Sequence, residues 1–233
     1  MSRESIKGFW ADRAKITEIP RLESQVNFEK DAETADLKIN TEVEVVNKEL
    51  SIRNNDIVID LGAGNGRFSI LFAQRALKVV AVEYIKDFID SIEQQAKELL
   101  IDNIELVNSA AEDFCRENYA DILFVSGLLQ YLDEDQYSKT ISNISKTLKD
   151  EGVLFIREAV SVLESEFVVD KFSEELNAYY YSKYRTSDQH ISAFRDSGFV
   201  LEKTAPFFED GSILNKRVET RLHYFIFSKG SLR

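Results

Sequence analysis

The 233-residue sequence holds one cysteine, two histidines, two prolines and nine glycines. A lone cysteine cannot close an intramolecular disulfide, so a disulfide-stapled scaffold is excluded. Cys115 reads as a core residue rather than a nucleophile, because neither imidazole, His190 or His223, shares a recognisable motif with it. No Cys/His/Asp cluster has metal-ligand spacing, and no metal is expected. Nowhere does an apolar run approach the roughly 20 residues needed to cross a bilayer. The stretch from Met1 to Ile19 is broken by Glu4, Asp12 and Glu18, unlike a secretory leader. No membrane span and a cytoplasmic location are expected. Basic residues are also in deficit, 29 against 41 acidic ones, for a formal net charge of −12. That balance opposes a grip on a phosphate backbone, so nucleic acid is not the expected partner. With no Pro/Gly/Ser-rich linker and no internal repeat, one elaborated domain is the simplest organisation.

What is present is alternation of short apolar runs with amphipathic ones. A helix is expected over residues 1–20, closed by Pro20, and a second around Asn40 to Leu50. Strands are then expected at Ile57–Leu61, Val79–Glu83, Ile104–Val107, Ile122–Ser126 and Val153–Arg157. Helices at Gly66–Ala76, Lys86–Leu100 and Asp133–Leu148 punctuate them. Strands apolar on both faces belong in a parallel sheet covered by helices. The tail differs. After a helix at Ser187–Ser197, with Thr186 or Ser187 as its N-cap, Phe199–Phe208 and Leu222–Ser228 follow with no helix between, so they should pair antiparallel.

Chemistry concentrates in Val58-Ile59-Asp60-Leu61-Gly62-Ala63-Gly64-Asn65-Gly66-Arg67-Phe68, a buried strand running into a glycine-rich turn and a helix. Glycines admit close backbone approach and positive φ, and the helix start offers unpaired N–H groups. The next strand ends in Glu83, where a carboxylate can accept both hydroxyls of a ribose. A nicotinamide fingerprint would read G-x-G-x-x-G, whereas this spacing is G-x-G-x-G. Asp60 before the turn repels a pyrophosphate but suits the cationic end of a sulfonium amino acid. The motif therefore favours S-adenosylmethionine over NAD.

At this point the sequence resembles the class I S-adenosylmethionine-dependent methyltransferases. Asn108 to Phe114 sits after the third strand, where that superfamily encloses adenine. Ser126 to Leu132 follows the fourth, and Leu148-Lys149-Asp150-Glu151-Gly152 stands where L-K-P-G-G is frequent. The resemblance spans roughly Asp56 to Ser228. It implies an α/β fold, a Rossmann-like three-layer sandwich with a seven-stranded, mostly parallel sheet and an antiparallel last strand. It also implies cofactor contacts from Asp60, Gly62, Ala63, Gly64, Gly66, Glu83, Tyr84, Ala111, Glu112 and Ser126. Residues 1–52 would be a helical lid carrying Phe9 and Trp10, although core burial suits both. Residues 53–233 would be the methyltransferase domain, with a substrate-recognition insertion at about 159–186. The departure is Asp150-Glu151 in place of proline and glycine, which bears on that turn's geometry.

Tyr131 and Glu158 fall just past the fourth and fifth strands, the edge where open α/β sheets bind ligands. Glu158 is the candidate base and Tyr131 the candidate hydrogen-bonding group, each with a plain packing or solvated alternative. Tyr180, Tyr184 and Arg185, in a tyrosine run that helical packing would also explain, are candidates for the substrate pocket. The expected activity is transfer of a methyl group to oxygen or nitrogen of a small metabolite, a sugar or sugar nucleotide first among them. Peptide N-methylation and a non-catalytic, cofactor-binding regulator are the alternatives.

Overall fold

Apolar residues on both faces of successive short strands build the centre of the molecule. A computed structural model describes residues 3–16, 25, 31–173 and 178–230. In chain order the elements are α1 (Arg3–Ala14), α2 (Ala32–Glu49), β1 (Ile57–Leu61), α3 (Arg67–Ala73), β2 (Lys78–Glu83), α4 (Lys86–Glu98) and β3 (Ile104–Asn108). Then come β4 (Ala120–Ser126), α5 (Glu134–Thr147), β5 (Leu148–Ser161), β6 (Phe167–Ser173), β7 (Ala178–Tyr184), α6 (Ser187–Asp196), β8 (Phe199–Pro206) and β9 (Thr220–Lys229). Seven strands form one sheet in the order β3-β2-β1-β4-β5-β9-β8. From β3 to β5 the pairs are parallel. Strand β9 runs antiparallel to both of its neighbours, β5 and β8. This is the α/β, Rossmann-like layout expected from the sequence, including the antiparallel tail.

Strand alternation divides the core between the two faces. Ile59, Leu61, Leu123, Val125, Leu154 and Ile156 pack on one side with Ile141 of α5 and Phe194 of α6. Val58, Ile122, Phe124 and Phe155 pack on the other with Val46 of α2 and Phe68 and Phe72 of α3. On that second face Phe72, Phe124, Phe155 and Tyr224 form a column of rings with successive centroids 4.9, 5.4 and 5.7 Å apart. Each such contact is worth about 0.5–1.5 kcal/mol beyond the area it buries. Helix α5 begins at a reciprocal cap between Asp133 and Gln136, and α6 at one between Thr186 and Gln189.

Several boundaries differ from expectation. Helix α2 starts at Ala32, eight residues before Asn40, because the Asp31 carboxylate accepts the Thr34 N–H at 2.8 Å and caps it there. Helix α1 ends at Ala14, and Pro20, the expected terminator, lies outside the described residues. Strand β5 starts at Leu148 rather than Val153 and absorbs the Asp150-Glu151 turn as an irregularity opposite β4. Glu151 there takes φ +64°. Cys115 is exposed, not a core residue: it follows buried Phe114 and lies 3.8 Å from the Thr147 hydroxyl. The region 159–186 carries a separate hairpin, β6 paired antiparallel with β7. Among the described residues no helix is long and apolar enough to cross a membrane, and no group of three or more His, Cys, Asp or Glu side chains could hold a metal ion.

Candidate active site

The turn after β1 is shaped by three glycines in the left-handed region, Gly62 at φ +78°, Gly64 at +55° and Gly66 at +86°. Gly62 and Ala63 donate their amides to the Val82 carbonyl of β2, at 2.9 and 3.0 Å, which ties the turn to its neighbour. Gly64 donates to Glu83 Oε2 at 2.9 Å and Ile85 to Oε1 at 2.8 Å. Burial pushes the Glu83 carboxyl up to about 7 against the pull of those two donors. Asp60 is likewise buried and pushed up to about 6, while the Ser69 hydroxyl donates to its Oδ2 at 2.6 Å. Two closely spaced, desolvated carboxyls at the mouth of a parallel sheet favour a cationic, hydroxyl-rich ligand.

A cavity of about 400 Å³ opens over this turn, within the range of small-molecule sites. It lies at the carboxyl ends of β1, β2 and β4, where the strand order reverses between β1 and β4. Of the expected cofactor residues, Asp60, Gly62, Ala63, Gly64, Glu83, Tyr84 and Ser126 line it. Two buried acids, Asp60 and Glu83, with the turn backbone between them on the same cavity wall, fit S-adenosylmethionine.

Gly66, Ala111 and Glu112 are not on this wall. Gly66 packs against α4, where an added Cβ would lie 2.5 Å from Ile92 Cγ1. Ala111 belongs to the core, and the Glu112 carboxylate accepts from Gln136 at 2.9 Å.

Opposite the glycine turn, the wall is aromatic. Tyr131 Oη lies 3.3 Å from Tyr180 Oη, and Tyr180 Oη 3.2 Å from Tyr184 Oη. Arg217 then donates to the Tyr184 hydroxyl at 3.1 Å. Burial, with Tyr180 and Tyr184 adding to it, holds the Tyr131 phenol well above its usual range, so it stays protonated. The tyrosine run is a strand, not a helix: Tyr180, Ser182 and Tyr184 share the inward face of β7, whereas Tyr179 is exposed. From α1, Trp10 meets Tyr131 edge to face at 5.1 Å and Phe9 meets Tyr180 at 5.9 Å.

Glu158 and Arg185 are not brought to the cavity. Glu158 points to the α5 side of β5, fully buried, where its Oε2 accepts the Leu129 N–H at 2.9 Å. Its carboxyl is pushed up to about 7 by burial, against the pull of that N–H. Arg185 is buried too. It donates to the carbonyls of Leu129 and Leu132 and pairs with Glu134 at 2.7 Å. Both side chains hold the loop that carries Tyr131 rather than facing a substrate. His190 accepts or donates a 2.9 Å bond with Tyr137, and burial lowers it to about 3.

Residues the sequence reading missed also line the cavity. Arg67 begins α3 and Arg157 sits in β5, and both pair with one buried carboxylate, Glu42 of α2. Lys38, one helical turn before Glu42, and Lys216 beside Arg217 join the wall. Only Arg67 carried a signal, its place directly after the glycine turn. The pairing of Glu42 with Arg157 spans 115 residues and leaves no local trace.

A family model described as "Methyltransferase domain" matches residues 52–211. Over 108 residues the chain is 36% identical to phosphoethanolamine N-methyltransferase 1 of Triticum aestivum, covering 44% of this chain and 21% of that protein. It is 29% identical over 154 residues to carboxy-S-adenosyl-L-methionine synthase of Desulforapulum autotrophicum, covering 62% and 60%. The chain thus spans about a fifth of the first relative and three fifths of the second. Among solved structures, phosphoethanolamine N-methyltransferase 1 of Haemonchus contortus, in complex with phosphoethanolamine and S-adenosylhomocysteine, aligns over 99% of this chain and 50% of its own. The TM-score is 0.73 and the identity 20%. Short stretches also match RNA methyltransferases. None of these names carries a sugar, and the sugar expectation finds no support. The glycine turn, its two acids and the family match agree: the chain belongs to the methyltransferase-domain family.

Proposed function

We propose that the chain methylates nitrogen on a small acceptor that carries an anionic group. The carrying observation is the line of hydroxyls from Tyr131 through Tyr180 to Tyr184, ending on Arg217. Arg217 also lies over the rings of Tyr180 and Tyr184, at 5.9 and 5.8 Å. A guanidinium fixed in this way presents donors to a carboxylate or phosphate, in a protein whose net charge is −12. The name of the wheat relative, a phosphorylated-amine N-methyltransferase, points the same way.

In this reading Asp60 holds the cofactor's ammonium group, Glu83 its ribose hydroxyls, and the backbone of Gly62 to Gly64 follows its chain. Bound S-adenosylmethionine supplies a methyl group activated by positive sulfur. The protein's work is alignment. Tyr131, kept protonated, orients the acceptor by a hydrogen bond and is not a base. Among the described residues the acids lining the cavity, Asp60 and Glu83, belong to the glycine-turn side, so the acceptor's proton leaves to solvent. Helix α1 acts as a lid, a reading supported by the contacts of Phe9 and Trp10 with the tyrosine wall.

The test is formation of S-adenosylhomocysteine with a panel of phosphorylated and carboxylated amines, basic peptides and RNA. Turnover with an anionic amine, weakened at least tenfold in kcat/KM by Arg217→Met, is expected. Turnover only with peptide or RNA, or none with any acceptor, defeats the reading.

A further inference from the structure

Residues Leu129 to Tyr131 form a single helical turn between β4 and α5, and its backbone is pinned from several sides. The Leu129 N–H donates to Glu158 Oε2 at 2.9 Å, Arg185 Nη1 donates to the Leu129 carbonyl at 3.0 Å, and the Tyr131 N–H donates to the Leu128 carbonyl at 3.0 Å. The Leu129 side chain is sunk in the core, so the turn is fixed in place. It holds Gln130 and Tyr131 on the cavity wall. The two side chains differ in how they are satisfied. Tyr131 shares its hydroxyl with Tyr180. Gln130 Oε1 is buried and, among the described residues, has no hydrogen-bond partner. A buried carbonyl oxygen left unpaired is costly, and a pinned backbone does not swing it out to water. The wall is complete only when the contents of the cavity supply a donor.

An amide oxygen accepts and never donates, so the group that completes it carries a hydrogen. We propose that Gln130 Oε1 accepts an N–H from the acceptor's nitrogen, and that this contact stops methylation at the tertiary amine. The inference rests on the acceptor being an amine, the reading given above. The nitrogen reacts in its neutral form, its lone pair forming a bond to the methyl carbon as the carbon–sulfur bond breaks. Sulfur keeps that electron pair and loses its positive charge, and the nitrogen sheds the charge it gains by releasing a proton to solvent. A primary amine enters with two N–H groups, one for Gln130 and one for the Tyr131 oxygen, which leaves its lone pair toward the methyl group. A monomethylated nitrogen retains one, enough for Gln130. A dimethylated nitrogen has none: it presses a methyl group on the amide oxygen, and the bond that the site is built to make is lost. A quaternary ammonium is therefore not a product.

Initial rates and mass spectrometry of the products test this on the whole chain with S-adenosylmethionine. The probes are β-alanine and 3-aminopropyl phosphate, with any other anionic amine that turns over, each as its primary, N-methyl and N,N-dimethyl form. The unaltered protein is expected to make mono- and dimethylated products, with kcat/KM for the dimethyl form at least about a hundredfold below that for the monomethyl form. Gln130→Leu, of similar size but without an acceptor, should lower kcat/KM for the primary and monomethyl forms about tenfold. It should also bring the dimethyl form level with them, while affinity for S-adenosylhomocysteine, read by calorimetry, stays unchanged. A quaternary product formed by the unaltered protein about as fast as the second methylation overturns the proposal and needs no variant. Equal loss for all three forms in Gln130→Leu also overturns it, since that is a displaced turn rather than a lost contact. Turnover with peptide or RNA alone, or with no acceptor, removes the amine reading itself and this inference with it.

Discussion

Gly66 sits so close to Ile92 that a side chain at position 66 has no room: an added Cβ would lie 2.5 Å from Ile92 Cγ1 and 3.2 Å from its Cβ. Gly66 also takes φ +86°, where an L-residue is strained. The third glycine of the turn therefore sets how closely α3 and α4 pack, while the first two face the cavity. Gly66→Ala is expected to cost about 2–4 kcal/mol, the sum of a backbone penalty and overpacking. Urea unfolding measures it. Combined with Ile92→Ala, which removes the obstructing atoms, the pair should cost clearly less than the two single changes added. Simple additivity would show that the contact is not the cause.

The glycine turn and the parallel strands, with Asp60 and Glu83 near their ends, were legible because each is written in a few adjacent residues obeying a local rule: a continuous apolar run for a strand buried on both faces, a glycine where φ is positive. Glu158 was misplaced although a local rule was available. Phe155 and Arg157 share one face of β5, and Ile156 and Glu158 the other, so strand alternation alone puts Glu158 on the side of α5. Proximity to the strand end is a weaker guide than parity. The tyrosine run is the reverse case, since its inward residues Tyr180, Ser182 and Tyr184 follow the two-residue repeat of a strand rather than a helical spacing. The clasp of Glu42 on Arg67 and Arg157 was not legible at all, because nothing near Glu42 says which of 29 basic residues it meets.

At the turn into β5, Glu151 occupies a left-handed backbone position, φ +64°, and is exposed. Among the described residues no side-chain hydrogen bond or ion pair of Glu151 repays that strain. Glu151→Gly should stabilise the protein by about 0.5–1 kcal/mol, the relief of the Cβ clash less the extra chain entropy of glycine. A thermal shift of a few degrees upward is the readout. An unchanged or lower Tm would mean that the carboxylate makes a compensating interaction.

Glu158 is pushed up to about 7 from an unfolded value near 4.5, with burial the main cause. A folded value above the unfolded one means that the native state binds more protons between them. Its contribution is therefore fully present below about pH 4.5 and is lost as pH rises through about 7. Glu158→Gln keeps an acceptor for the Leu129 N–H and cannot ionise. Relative to the unaltered protein, its stability should be close at pH 5 and gain on the order of a few kcal/mol by pH 8.5. Unfolding curves at the two pH values decide it: a constant offset would mean that Glu158 does not titrate in this range.

The same arithmetic governs ligand binding in the cavity. Glu83 is pushed up to about 7 and Asp60 to about 6 by burial, and Asp60 adds to the rise of Glu83. If the ionised form of Glu83 accepts the ribose hydroxyls, that form falls from about nine-tenths at pH 8 to about one-tenth at pH 6. Affinity for S-adenosylhomocysteine should drop about tenfold over that span, and Asp60 should steepen the fall below pH 6. Glu83→Gln removes the first step: weaker binding at pH 8, but a flat profile down to about pH 6.5. Calorimetry at half-unit intervals separates the two acids, because the steeper fall below pH 6 should vanish in Asp60→Asn while the step near 7 remains. A pH-independent affinity in the unaltered protein would show that neither carboxyl changes its charge when the cavity fills.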